Sequence, residues 1–180
     1  MKHLKEEKAI VLDFLPHGYP LEEKRIPIAQ AVGLSHFTLL ELVPRRNVKL
    51  ELKEEVYIGP EKRDKIYYIK GRLPKSKLTE TAKIQLQDFV DKIVEEREKE
   101  FVEFLNKAEA ITTRLHQLEL LPGLGRKFTK ELLEEREKRP FSSFEDVNKR
   151  IKGLPDIKKI IKKRLLKELT EEVKHKLFVA

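Results

Sequence analysis

Residues 118–133 read LELLPGLGRKFTKELL, and this stretch decides the predicted fold of the C-terminal part of the chain. The spacing of its leucines predicts one helix that ends near Leu121 and a second helix that buries Leu132. Between the two helices, Gly123 and Gly125 predict a tight turn, because glycine adopts positive φ angles without steric cost. The stretch therefore predicts two helices joined by a short turn that contains two glycines.

The predicted turn has the properties of a phosphate-binding site. The first turn of a helix has free backbone N–H groups and the positive end of the helix dipole, and both attract anions. Basic side chains follow the second glycine directly. The predicted site comprises Gly123, Leu124, Gly125, Arg126, Lys127 and Lys130. The alternative is a helical hairpin whose glycines serve the turn alone.

The same pattern recurs 33 residues later, which indicates an internal repeat. Between the two copies we predict a helix that begins at Ser142 or Ser143, because a carboxylate follows each of these serines three residues later. In the second copy Asp156 and Lys158 stand where the first copy has its glycines, and an aspartate there would repel a phosphate. We therefore expect the second copy to support the first and to add only side-chain charge. The predicted secondary basic surface comprises Lys158, Lys159, Lys162 and Lys163.

Two such hairpins in tandem, joined by RPFSSFEDV at residues 139–147, resemble the double helix-hairpin-helix domain of DNA repair and competence proteins. The resemblance covers about residues 110–170 and departs from the family pattern at Thr129, where alanine is usual. More loosely, the whole chain resembles an uncharacterised archaeal family described as nucleotide-binding, in which a small OB-like β-domain precedes the double hairpin. The resemblance implies binding to nucleic-acid backbones and names no reaction.

The N-terminal part predicts short β-strands. Apolar runs at Lys8–Leu15 and His36–Val43 predict strands, and Ile28–Val32 fits either a strand or a short helix. The runs at Val56–Ile58 and Lys65–Lys70 predict a hairpin. Several short strands close together indicate a small β-barrel of OB-like type, although periodicity alone does not separate a barrel from an open sheet.

Together these patterns predict an α+β protein in three parts. They are a small β-barrel domain in residues 1–78, a helical spacer in residues 79–117 and an all-α double helix-hairpin-helix domain in residues 118–180. The spacer begins at Thr79, a predicted helix cap, and has an apolar face that must pack against another element. Its charged segment at residues 95–100 is either a solvated patch or a bend between two helices.

The β-domain has its own candidates for contacts with nucleic acid. Aromatic side chains stack on bases and basic ones bind phosphates, so the candidates are Arg45, Arg46, Tyr67, Tyr68, Lys70 and Arg72. Adjacent Tyr67 and Tyr68 should point to opposite faces of a strand, which would place one of them in the core. The alternative is that the exposed tyrosine is an ordinary surface aromatic.

The composition agrees with a nucleic-acid-binding protein. The 180 residues include 39 Lys and Arg against 31 Asp and Glu, a net charge of +8, and basic residues prevail at both ends of the chain. A charged fraction of 39%, no cysteine and one methionine are also typical of a thermophile's surface. The absence of cysteine excludes disulfides and thiolate metal ligands. A polar N-terminus and the lack of a long apolar run predict a cytoplasmic protein that does not enter membranes.

No catalytic pattern emerges from the sequence. The five histidines show no metal-ligand spacing, and the glycine-rich turn lacks the length and the Ser/Thr of a phosphate-binding loop of nucleotide hydrolases. We therefore predict a protein that is not an enzyme, needs no metal or cofactor, and binds DNA or RNA independently of sequence. Two alternatives stay open: a protein-interaction or dimerisation module, and a nucleic-acid enzyme with an unrecognised carboxylate site. The oligomeric state is left open.

Overall fold

The computed structural model describes residues 5–180, and residues 1–4, with His3, lie outside the described part. The described residues form an α+β fold, with a five-stranded antiparallel sheet curled into a half-barrel and five α-helices. The predicted α+β class is confirmed. The strands are β1 (Lys8–Leu15), β2 (Ile28–Gly33), β3 (Leu39–Pro44), β4 (Glu55–Tyr57) and β5 (Ile66–Arg72). The helices are α1 (Glu80–Glu96), α2 (Glu98–Lys107), α3 (Arg126–Lys138), α4 (Phe144–Arg150) and α5 (Ile157–Thr170).

The strand order in the sheet is β4-β1-β2-β3-β5. The predicted hairpin between Val56–Ile58 and Lys65–Lys70 is therefore wrong, because β4 and β5 lie at opposite edges. Val56 pairs with Ala9 of β1, whereas Ile69 pairs with Leu42 of β3. Closeness in sequence favoured a hairpin, but strand pairing depends on which apolar faces fit together, and that is a non-local property.

The central strands form the core of the sheet. All residues of β2 and β3 are buried. The segment Ile28–Val32, which fitted either a strand or a short helix, is part of strand β2. The predicted strand His36–Val43 begins later, at Leu39. The turn before it is tied to the buried Glu6, whose carboxylate accepts hydrogen bonds from the backbone N–H groups of Ser35 and His36 at 2.7 Å each.

The helix cap predicted at Thr79 is present. Its hydroxyl accepts a hydrogen bond from the Ala82 N–H at 3.0 Å and donates one to the Asp13 carboxylate at 2.6 Å. The charged segment at residues 95–100 contains a break at Arg97 that separates α1 from α2, so it is a junction between two helices.

The helical structure predicted for residues 79–117 ends earlier than the sequence indicated. Helix α2 stops at Lys107, and residues 108–116 form a loop in which Ala110 and His116 make an isolated bridge. The β-branched run from Ile111 to Thr113 explains part of the difference, because such side chains lose rotamer freedom in a helix. The residues before the glycine turn form a four-residue 3₁₀ helix, Gln117–Leu120.

The chain forms two compact units. One comprises the residues up to Asp88 together with Glu168–Ala180, and the other comprises Phe89–Lys167. In the first unit the buried Glu168 carboxylate accepts hydrogen bonds from three backbone N–H groups of the C-terminal segment, those of Leu177, Phe178 and Val179. The division at residues 78 and 117 stays a prediction. No helix within residues 5–180 is long and apolar enough to cross a membrane.

Candidate functional site

The glycine turn at residues 121–125 has a well-defined backbone. Gly123 has a φ of +82°, a conformation that favours glycine, and the Leu124 N–H donates to the Leu121 carbonyl at 3.1 Å. The Leu124 side chain is buried and anchors the turn to the core. Only its backbone therefore remains available to a ligand, although Leu124 was predicted as a site residue.

Open space lies on the outer side of the turn. Both Gly123 and Gly125 are exposed, and a Cβ atom built on either would meet no atom of residues 5–180 within 4 Å. Gly125 has a φ of −82° and a ψ of −172°, which is extended backbone that any residue adopts. Only Gly123 therefore uses the positive φ that glycine allows, and a side chain could be accommodated at Gly125.

Helix α3 begins directly after the turn, and no side chain of the described chain caps it. Gly125 is the N-cap residue, and its carbonyl accepts the Thr129 N–H at 3.1 Å. The first turn contains no acidic residue. Its leading N–H groups are thus left for solvent or an anion, next to the positive end of the helix dipole.

Two cations stand beside these N–H groups. Arg126 and Lys127 are exposed, and within residues 5–180 neither forms a salt bridge. Lys130, one turn further, lies 3.9 Å from the Glu134 carboxylate, a contact between exposed side chains that contributes little. We call Gly123–Lys127 the first-turn site, because it combines an open turn, a helix start and two unpaired cations.

The second turn matches the first at an offset of 30 residues, and the predicted offset of 33 is wrong. Gly153 has a φ of +83°, close to the +82° of Gly123, and the Leu154 N–H donates to Ile151 as Leu124 donates to Leu121. The second copy therefore keeps its first glycine, contrary to the prediction that Asp156 and Lys158 replace both. The second turn has one more residue between its glycine and its helix, so the helices and the turns do not align at the same offset.

The start of α5 is capped by side chains. Asp156 accepts the Lys158 N–H at 3.0 Å, and the Asn148 side-chain oxygen accepts the Ile157 N–H at 3.0 Å. The Asn148 amide also donates to the carbonyls of Leu154 and Pro155. Because these N–H groups are occupied and Asp156 is negatively charged, this helix start disfavours an anion.

The predicted secondary basic surface divides into two pairs of lysines. Lys158 and Lys162 lie 3.8 and 3.2 Å from the carboxylate of Glu95 on α1, and Lys162 also lies 3.7 Å from that of Asp91. Lys159 and Lys163 are exposed and form no salt bridge with any described residue. Of these four lysines, only the second pair therefore has unpaired charge within residues 5–180.

The role of Arg150 was not predicted from the sequence. Its guanidinium donates to the carbonyls of Glu135 and Arg139, pairs with the Asp146 carboxylate at 3.2 Å and lies 4.5 Å from the ring centroid of Phe141. These contacts fix the end of α3 to α4. Nothing in one sequence separates this arginine from its exposed neighbours.

The predicted contacts of the β-domain are all near β5 or the end of β3. Tyr67 is 64% and Tyr68 40% exposed, so the prediction that one of them is in the core is wrong. The pairing places Tyr68 opposite Val43 and Ile66 opposite Pro44, so Tyr67 lies in a bulge where the alternation of faces is lost.

The basic candidates of the β-domain differ in how strongly they are held. Arg45 donates to the Arg63 carbonyl at 2.7 Å, and Lys70 lies 3.8 Å from the Glu22 carboxylate. Arg72 donates to the main-chain oxygen of Ala180 at 3.4 Å. Arg46 is exposed.

Two titratable groups, one before the glycine turn and one near the end of α3, have structural partners and shifted pKa values. The His116 Nδ1 atom accepts the Leu118 N–H at 3.0 Å, and burial lowers the pKa of this imidazole, with a further contribution from Arg136. The Lys138 ammonium, assisted by Arg150, lowers the pKa of the Glu135 carboxyl. Within residues 5–180, no group of three or more His, Cys, Asp or Glu side chains has an arrangement that could hold a metal ion.

Two relatives cover nearly the whole chain. The uncharacterised protein MJ0038 from Methanocaldococcus jannaschii is 44% identical over 174 residues, which are 97% of this chain and 79% of that protein. The crystal structure of Af1531 from Archaeoglobus fulgidus has 44% sequence identity and a TM-score of 0.81, and the match covers 97% of this chain and 100% of the other.

These comparisons overturn the resemblance inferred from the sequence. The assignment to a double helix-hairpin-helix domain within a nucleotide-binding family is wrong, because the matching family has no assigned function and neither relative is described by that motif. The structure gives the physical reason, since the short 3₁₀ helix Gln117–Leu120 stands where the motif needs a full helix. The family model matches residues 5–180, and the chain therefore belongs to DUF655, a family of proteins of unknown function.

Proposed function

We propose that this protein binds the phosphate backbone of DNA or RNA, independently of sequence, at the first-turn site. One observation carries the proposal. Two turns with nearly identical glycine geometry precede α3 and α5, yet within the described chain side chains cap only the second helix start. The first start instead has open space and the unpaired Arg126 and Lys127 beside it. Backbone N–H groups, a helix dipole and two cations at one place favour a phosphate.

A polymer suits this site better than a small anion. Small-molecule sites are concave and bury most of their ligand, whereas the glycines and cations of the first-turn site are exposed and its glycines face open space. A nucleic-acid backbone needs no cavity, because its affinity comes from several phosphates held by separate cations. The exposed Lys159 and Lys163 on α5 and the net charge of +8 favour a polyanion in the same way.

The sheet unit supports the proposal through its topology. We infer that the half-barrel is OB-like, because β1 pairs with both β2 and β4 while β3 pairs with β5, and a five-stranded, partly open barrel of this kind is a common nucleic-acid-binding fold. Exposed Tyr67 and Tyr68 offer stacking surfaces, and Arg46 offers an exposed cation. In this proposal the sheet unit provides a second contact region.

The test is a binding panel read by fluorescence anisotropy. Labelled single- and double-stranded DNA and RNA are titrated at several salt concentrations with wild type, Arg126→Ala, Lys127→Ala and Lys163→Ala. Phosphate binding predicts a linear fall of log K with log salt, and each of the first two substitutions should reduce the slope by about 1.

Lys163→Ala is the matched control, because it removes the same charge from an exposed and unpaired lysine on α5. A smaller change of slope for Lys163→Ala than for Lys127→Ala is expected. An affinity that is independent of salt, or equal losses at both lysines, would contradict the assignment. A salt-independent result would instead favour a protein partner, the second candidate from the sequence.

A further inference from the structure

A partly open cavity of about 550 Å³, which the proposed function does not use, lies against the curled sheet. It is lined by β3, β5, the segment after β4 and residues 5–7. Leu40, Ile58 and Ile69 supply apolar walls, and exposed residues such as Pro60 and Arg72 reach its rim. Its volume falls within the range of about 300–1,000 Å³ that is typical of small-molecule sites.

A buried hydroxyl without a partner lies in the wall of this cavity. Thr38 is 4% exposed, and its Oγ1 atom has no hydrogen-bond partner in the described part of the chain. Buried polar groups are nearly always paired, and an unpaired one signals a missing partner such as a ligand. The nearby Glu6 carboxylate is engaged by backbone N–H groups and does not serve this purpose.

Two arginines, Arg63 and Arg72, are among the residues that line the cavity. Arg63 is oriented by a hydrogen bond from its Nε atom to the Gly59 carbonyl at 2.8 Å. Arg72 has a weak hydrogen bond to the main-chain oxygen of Ala180 at 3.4 Å. Within residues 5–180 neither arginine forms a salt bridge with a carboxylate, so both retain donors for an acidic group.

We propose that the cavity binds a small amphipathic anion. The apolar body of the ligand lies against Leu40, Ile58 and Ile69, a polar atom pairs with the Thr38 hydroxyl, and one carboxylate or phosphate pairs with the two arginines. This chemistry differs from that of the first-turn site, which has no apolar walls in its exposed glycine turn. The two sites bind independently.

The probe for this test is 8-anilinonaphthalene-1-sulfonate, which combines an apolar body with one anionic group and fluoresces in apolar surroundings. Its neutral partner is N-phenyl-1-naphthylamine. The full chain should bind the sulfonate probe with 1:1 stoichiometry. Arg72→Gln should weaken that binding at least tenfold and leave the neutral probe unchanged, whereas Arg46→Gln, outside the cavity, should change neither. Competition by decanoate and by decyl phosphate then separates the two classes of acidic group.

Cavity-filling substitutions supply the second arm. Leu40→Phe should abolish binding of both probes, with folding checked by circular dichroism and thermal melting. Ile69→Phe, at a partly buried position, serves the same purpose if Leu40→Phe fails to fold. Binding that survives both substitutions in folded protein would overturn the proposal, as would equal effects of Arg72→Gln and Arg46→Gln.

Nucleic acid distinguishes this inference from the proposed function. A saturating oligonucleotide should leave the sulfonate probe bound. Displacement of the probe would show that the cavity is part of a nucleic-acid surface, which overturns an independent small-molecule site and leaves the proposed function standing. A protein that binds the probe but no oligonucleotide would contradict the proposed function and leave the small-molecule site standing.

Discussion

Replacing Gly125 by aspartate should raise stability and at the same time weaken phosphate binding. Gly125 has the extended backbone of an N-cap residue, and a Cβ atom there meets no described atom within 4 Å. An aspartate in this position can accept the N–H of Lys127 or Phe128. The gain over glycine is a few tenths of a kcal/mol from capping, plus about 0.3–1 kcal/mol from the helix dipole. We expect the melting temperature to rise by about 1–4 °C.

The same carboxylate should exclude a phosphate from the first-turn site. It occupies the N–H groups that the phosphate would use, and it places a negative charge beside them. Hydrogen bonds to charged groups contribute about 1.5–3 kcal/mol, so their loss should weaken binding roughly 10- to 100-fold. Gly125→Asn is the control, because it caps the helix without a charge and should weaken binding less.

The assay combines thermal melting with fluorescence anisotropy of a labelled oligonucleotide at low salt. For Gly125→Asp, the melting temperature should rise while the affinity for the oligonucleotide falls. Unchanged affinity of Gly125→Asp would show that phosphates bind elsewhere. A lower melting temperature would show that the start of α3 does not accept a cap.

Three further predictions concern the supporting structure. Arg150→Met should destabilise the protein by about 1–3 kcal/mol in urea unfolding, because it removes hydrogen bonds to two carbonyls and an ion pair with the Asp146 carboxylate. The exposed Lys149→Met should cost less than about 0.5 kcal/mol, and similar losses would show that the Arg150 contacts contribute nothing. Thr79→Ala should cost about 1–2 kcal/mol by removing the cap of α1, and a neutral result would refute that cap. The lowered pKa of His116 means that the folded state prefers the neutral imidazole, so the contribution of His116 to stability is full above about pH 6.5 and is lost as the pH falls below that value. His116→Asn should therefore reduce the change of the urea midpoint between pH 7.5 and 5 relative to wild type. An unaltered pH dependence of the midpoint would contradict this role of His116.

Local patterns in the sequence were sufficient for much of this fold. The apolar run Lys8–Leu15 became β1 at the predicted residues, and the caps at Thr79 and Ser143 are both present. Each of these features depends on neighbours within a few residues. Propensity, periodicity and capping act over that range, and a single sequence displays them directly.

Features that depend on distant partners were not predictable. The separation of β4 from β5, the bulge that exposes Tyr67 and the engagement of Glu168 with the C-terminal segment all arise from pairing across the fold. The repeat offset failed for a related reason. Leucine spacing aligned the helices, but the turns are defined by Gly123 and Gly153, and only backbone geometry shows that these two correspond.

The contrast between the two turns is the strongest argument that the first one has a ligand. Asn148 and Asp156 cap α5, and a cap of this kind contributes about 0.5–2 kcal/mol over alanine. The start of α3 forgoes such a cap within the described chain, although Gly125 has the backbone conformation that would accept one. Where a structure departs from a local rule that it follows elsewhere, a functional site is the expected reason. An anion bound at Gly123–Lys127 would supply the missing acceptor, and the unpaired Arg126 and Lys127 would balance its charge.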